Sequence, residues 1–79
     1  MNGYGEIIRR ARKKKGLTQT ALSQKIGVTK NAIYDWEKEK YQPANIANIK
    51  TLEAVLGFEQ SYLLNLLYPN PPQPSTQQQ

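Results

Sequence analysis

The chain has 79 residues, with 11 lysines and arginines against 6 aspartates and glutamates, a formal net charge of +5, and neither cysteine nor histidine. A chain this short makes one domain and buries too little surface for a deep active-site cavity. Without cysteine or histidine it has no disulfide, thiolate metal site, cysteine nucleophile or imidazole proton shuttle, so no enzyme activity, cofactor or metal is expected.

No apolar run near the N-terminus is long enough for a signal peptide or a membrane span, which predicts a cytoplasmic protein. The positive charge is concentrated early. Arg9, Arg10, Arg12, Lys13, Lys14 and Lys15 stand almost together, followed by Lys25 and Lys30, and only Glu6 opposes them before Asp35. Such a field suits a polyanion, either nucleic acid or an anionic membrane surface, although a solvated helix face has the same composition.

Tyr4, Ile7, Ile8 and Ala11 recur at i, i+3, i+4, i+7 spacing and predict an amphipathic helix that stops at Gly16. Its apolar stripe is needed for the core, which disfavours a membrane-surface role. Thr18 is the predicted cap of a second helix with Ala21, Leu22 and Ile26 on its apolar side, ended by Gly27. Thr29 caps a third helix, with Val28 placed to staple against Ile33. Two short helices joined by a glycine turn constitute a helix-turn-helix candidate. On the third helix Ile33 and Trp36 face inward, while Lys30, Asn31, Tyr34, Asp35 and Lys38 face outward.

After Pro43, Asn45 caps a fourth helix with Ile46, Ile49, Leu52 and Leu56 at core spacing, ended by Gly57. Glu59 to Tyr68 reads as a fifth helix whose apolar residues cover more of the cylinder than one core can bury. From Pro69 the chain is rich in proline and glutamine and is expected to be disordered or polyproline-like, giving a domain of residues 1–68 and a tail of 69–79. Pro71 and Pro74 fit a PxxP spacing, for which a flexible linker is the simpler account.

The series Ile8, Arg12, Gly16, Leu17, Thr18, Gln19, Ile26, Gly27, Val28, Thr29, Ile33, Trp36, Glu37 and Pro43 resembles the Cro/repressor-type helix-turn-helix family, the Xre-like and lambda-repressor-like DNA-binding domains. The resemblance covers about residues 4 to 67. It implies an all-α, compact bundle of about five short helices whose third helix lies in the DNA major groove. Lys30, Asn31, Ala32, Tyr34 and Asp35 are then the candidate base readers. Lys30 suits guanine O6 and N7, Asn31 suits adenine, and Ala32 suits a thymine methyl.

In that family a glutamine at the position of Gln19 contacts phosphate and buttresses the reading helix. Thr18 and Thr29 offer hydroxyls at helix starts, suited to capping or to phosphate. Arg9, Arg10, Lys13, Lys14, Lys38 and Lys40 are the candidate phosphate-contacting cations, of which two or three are expected to matter. The resemblance also implies a structural ion pair between Arg12 and Glu37. Trp36 shares the apolar face with Ile33 and is expected in the core.

Three departures from the family pattern stand out. Glu39 occupies a position where the family often has glycine. The spacing from Pro43 to Gly57 is one residue longer than is common. Asp35 places a carboxylate toward DNA, which requires cytosine N4 as a partner, neutralisation nearby, for example by Lys38 one turn on, a role in rejecting wrong sequences, or a place just off the groove.

The sequence thus predicts a transcriptional regulator, a repressor in the first instance, acting as a homodimer on a palindromic operator of double-stranded DNA and associated with the nucleoid when bound. The dimer contacts expected are Tyr62, Leu64, Leu67 and Tyr68. Activation by contact with polymerase fits the sequence equally well. The alternative is an antitoxin-type module that holds a toxin and autoregulates through DNA. An enzyme is disfavoured because Ser23, Ser61, the tyrosines and Glu53 form no recognisable catalytic constellation.

Overall fold

The computed structural model describes residues 3–69 of the chain. Five helices follow one another: α1 (Tyr4–Lys14), α2 (Gln19–Ile26), α3 (Lys30–Glu37), α4 (Ile46–Leu56) and α5 (Tyr62–Leu67), with no strand among the described residues. The tail expected beyond Pro69, including the Pro71 and Pro74 spacing, lies outside the described residues.

One apolar cluster unites all five helices. Ile8 of α1, Leu22 of α2, Ile33 of α3, Ile49 and Leu52 of α4, and Leu63 of α5 have no solvent exposure, and Trp36, Leu56 and Leu67 complete the buried set. Burying each such side chain contributes about 1.5–3 kcal/mol. Trp36 is therefore a core residue, as its spacing from Ile33 predicts.

The helix ends follow local chemistry. Thr18 Oγ1 accepts from the Ala21 amide at 3.0 Å, Thr29 Oγ1 from the Ala32 amide at 3.2 Å, and Asn45 Oδ1 from the Asn48 amide at 3.1 Å, so all three expected caps are formed. At the end of α1, Gly16 takes a left-handed conformation with φ of 72°. Its amide bonds to the Lys13 carbonyl while the Leu17 amide bonds to Arg12, the paired arrangement that satisfies the last carbonyls of a helix.

The same arrangement closes α3, with Glu39 in the glycine's place. Glu39 has φ of 62°, its amide bonds to the Trp36 carbonyl, and the Lys40 amide bonds to Asp35. The helix therefore ends at Glu37 despite the missing glycine. The loop that follows is anchored by the fully buried Pro43, whose carbonyl accepts from the Tyr68 hydroxyl at 2.9 Å.

Four expectations are corrected. Ile7 is half-buried but lies outside the set of side chains packed on the core, since Ile8 and the buried Gly5 and Arg12 form the inward stripe of α1. Ile46 is 57% exposed and residues 44–47 around it are all exposed, so the start of α4 stands at the surface and its core contribution begins at Ile49. The fifth helix begins at Tyr62 and not Glu59, because the chain turns at Ser61 with φ of 70°. Finally, Leu67 is only 8% exposed and belongs to the core, leaving it no surface to offer a second copy.

Candidate nucleic-acid interface

Between α2 and α3 the turn runs through Gly27, whose φ of 88° lies in the left-handed region that glycine enters at low steric cost. The amides of Gly27 and Val28 both bond to the Ser23 carbonyl, at 2.8 and 3.0 Å. Val28 then packs against the core cluster that contains Ile33. Glycine turn, threonine cap and apolar anchor together set the direction of α3.

The outer side of α3 carries Lys30, Asn31 and Tyr34, all exposed. Lys38 follows just past the helix, its Nζ 5.7 Å from the centre of the Tyr34 ring, a distance that allows cation–π attraction. Asp35 is half-buried and forms no ion pair among the described residues. Lys38 thus stands beside Tyr34 and makes no ion pair with Asp35. Ala32 is half-buried and packed against the core, so less of it is available at the surface than of its neighbours.

Behind this face runs a chain of polar contacts through three helices. Arg12 Nε donates to Glu37 Oε2 at 2.6 Å and Nη2 donates to Oε1 at 3.1 Å, a two-pronged pair. Arg12 Nη1 donates to the Leu17 carbonyl at 2.8 Å, and Gln19 Nε2 donates to Glu37 Oε1 at 3.1 Å. The Arg12 and Glu37 side chains are 9% and 5% exposed, so these charges are desolvated and hold α1, α2 and α3 in one register.

Arg9, Lys13, Gln19 and Lys38 meet around a polar trough of about 500 Å³, floored by the Arg12 and Glu37 pair and edged by Glu6. Arg10 is separated from them. It lines a different groove on the other flank of α1, while its Nε donates back to Glu6 Oε2, at the edge of the trough, at 2.9 Å. Lys40 is exposed in the loop after α3. Thr18 and Thr29 each use an oxygen lone pair for the cap, which leaves the hydroxyl proton to donate elsewhere. Capping and phosphate contact are therefore compatible in the same side chain.

Two structural carboxylates escaped the sequence. Glu39 Oε2 accepts from the Gly5 amide at 3.0 Å, serving the start of α1, where Gly3 supplies no side-chain cap. Buried Glu53 accepts from the Ser61 and Leu64 amides, both at 2.9 Å, serving the start of α5. The paired glycines around Tyr4 were the available signal for the first, since glycine at a helix start marks a close approach. On α5, Tyr62 and Leu66 are exposed at 45% and 40%, while Leu64 and Tyr68 are half-buried against the core. Leu66, absent from the expected dimer contacts, is thus the exposed leucine of α5, where Leu67 is buried.

A helix-turn-helix family model matches residues 8–63. Repressor protein C2 of Salmonella phage P22 is 40% identical over 60 residues, covering 76% of this chain and 27% of that protein. The chain thus spans about a quarter of the length of this relative. Among solved structures, the P22 c2 repressor bound to synthetic operator 9T in the presence of Tl+ aligns with a TM-score of 0.72 and 36% identity, over 80% of this chain and 94% of that one. SinR, a master regulator for biofilm formation found in Bacillus subtilis, aligns in its DNA complex with a TM-score of 0.67 and 30% identity, over 77% of this chain and 97% of that one.

Proposed function

The chain belongs to the helix-turn-helix family, and from that premise we propose that it binds double-stranded operator DNA sequence-specifically and represses transcription by occupying the promoter. The observation that carries this is the composition of α3's outer side. Lys30, Asn31 and Tyr34 stand exposed on a helix narrow enough to enter the major groove, beside a trough edged by Arg9, Lys13 and Lys38. Lys30 and Asn31 read base edges, with Tyr34 and Asp35 next to them. Arg9, Lys13, Lys38, Lys40, Gln19 and the threonine hydroxyls hold phosphates and fix register. Arg10, on the other flank of α1, plays no part in that contact.

The protein acts as a homodimer on a palindromic site, because one module makes too few base contacts for useful specificity. Tyr62 and Leu66 of α5 are the exposed apolar side chains for that pairing, with Leu64 and Tyr68 at its edge. The role is cytoplasmic and not enzymatic. Among the described residues no helix is long and apolar enough to cross a membrane. Two of the groups weighed for catalysis are engaged elsewhere, Glu53 holding two amides and Ser23 Oγ donating to the Thr20 carbonyl.

Selection from a randomised duplex library at physiological salt, followed by titration of the winner and its scrambled control, tests the proposal. Two half-sites about 10 base pairs apart, preferred at least about a thousandfold over the control, are expected. Binding without enrichment of any sequence, fading only with salt, would overturn it.

A further inference from the structure

We propose that the groove between α1 and the turn after α4 is a docking site for an acidic, amphipathic helical segment of a partner protein, open while α3 lies on DNA. The groove holds about 460 Å³, and its apolar floor is made by Ile7, Ala11, Leu56 and Phe58. Ile7 is the informative residue. It is half-buried yet does not pack on the core, so its apolar surface has the groove as its setting. The Phe58 ring continues the floor toward Tyr62, their centres 5.3 Å apart.

The rim is cationic, formed by Lys14 and Lys15 with Arg10, whose charge is shared with Glu6 on the trough side, and no carboxylate lines the groove itself. Lys14 has no acidic partner among the described residues. Lys15 lies across Gly57, where a methyl group would come within 3.2 Å of its Cε and 3.3 Å of its Nζ. The glycine thus lets the ammonium sit over the end of α4, at the carbonyl end of that helix.

Charge and apolarity together select the occupant. DNA phosphates have no use for an apolar floor, and a second copy would bring its own net charge of +5 to a cationic rim. Residues 70–79 of this chain contain no aspartate or glutamate to match the rim. A partner helix with apolar residues at i, i+3, i+4 and acids beside them satisfies both surfaces.

α1 also separates this groove from the DNA-facing trough. Arg9 and Lys13 line the trough, whereas Ile7, Ala11 and Lys14 line the groove, and no residue of α2 or α3 contributes to it.

The test is a nuclear magnetic resonance titration of the full chain with an amphipathic peptide of leucine and glutamate, roughly 14 residues or four turns long. The expected result is perturbation of the Ile7, Ala11, Leu56 and Phe58 amides with a dissociation constant below about 1 mM, unchanged when duplex DNA is bound. Lys14→Glu and Ile7→Ser should each weaken the peptide about tenfold while circular dichroism shows an intact fold, and Lys14→Gln gives a milder version of the charge test. Absence of perturbation, or displacement of the peptide by DNA with shifts confined to α3, would overturn the proposal. So would perturbation of the same amides by protein concentration alone, which assigns the groove to a second copy.

Discussion

The Glu39 carboxylate accepts from the Gly5 amide at 3.0 Å while the Glu39 backbone stands at φ of 62°, so a single residue ends α3 and caps α1. The left-handed conformation costs a non-glycine residue about 1–2 kcal/mol, and a helix cap returns a similar amount. Glu39→Ala keeps the first and loses the second, and should destabilise the fold by about 1–2 kcal/mol. Glu39→Gly loses the cap but relieves the backbone, and should fall within about 1 kcal/mol of the parent. Urea unfolding of the two variants measures the difference, and the alanine variant should be the less stable.

Gly5→Ala should destabilise the protein by about 1–3 kcal/mol even though alanine is the better helix former by about 1 kcal/mol. A methyl group there would collide with the Glu37 backbone carbonyl, and Glu37 cannot retreat without moving its pair with Arg12. Thermal unfolding followed by circular dichroism reads the loss, with a rise in midpoint as the contrary result.

Arg12→Met should cost about 3–5 kcal/mol, because it leaves the Glu37 carboxylate buried without its cation. Adding Glu37→Leu to that variant should restore much of the loss, since apolar side chains of similar size do not need a partner. The double variant should still bind DNA more weakly, as Gln19 then has no carboxylate to hold it. A double-mutant cycle in unfolding, with DNA titration alongside, separates the two effects.

On the selected duplex, Asn31→Ala should cost about 1–3 kcal/mol and relax preference at one base position. Lys13→Gln should weaken binding to selected and scrambled duplexes alike and reduce the salt slope by about one. Titrations at several salt concentrations distinguish these outcomes.

Burial raises the Tyr4 hydroxyl above its ordinary pKa of 10.0, with the charges of Glu39 and Tyr68 adding to the effect. The folded protein therefore holds that proton more tightly than the unfolded chain. Its contribution to stability is present below pH 10.0 and is lost as the pH rises through the higher folded value. Tyr4→Phe should flatten that alkaline decline, as measured by urea unfolding at about pH 9 and 11.

What was legible in the sequence was local. Thr18, Thr29 and Asn45 announce helix starts, and Gly16, Gly27 and Gly57 announce stops, because a cap or a left-handed turn involves only a few neighbouring residues. Contacts across the chain were not legible in that way. Nothing near Glu39 indicates that its carboxylate reaches 34 residues back to Gly5, and nothing near Glu53 indicates that it serves the start of α5. Helical spacing placed Ile7 and Ile46 on the core because periodicity reports a face but not how far the neighbouring helices cover it. On α5 the apolar residues were too many for spacing alone to choose between Leu66 and Leu67.

The left-handed stop at Glu39 also limits vocabulary. It leaves α3 with 8 residues, a rod about 12 Å long, which at about 3.4 Å per base pair spans only three or four steps of the duplex. A word of about four letters recurs by chance roughly every 250 base pairs, so a genome holds thousands of spurious copies. Two such words at a fixed separation recur about once in 65,000 positions. Lengthening the reading helix would add few letters, because a straight rod soon leaves a curving groove. Repetition of a short word is the economical way for so short a reading helix to be selective.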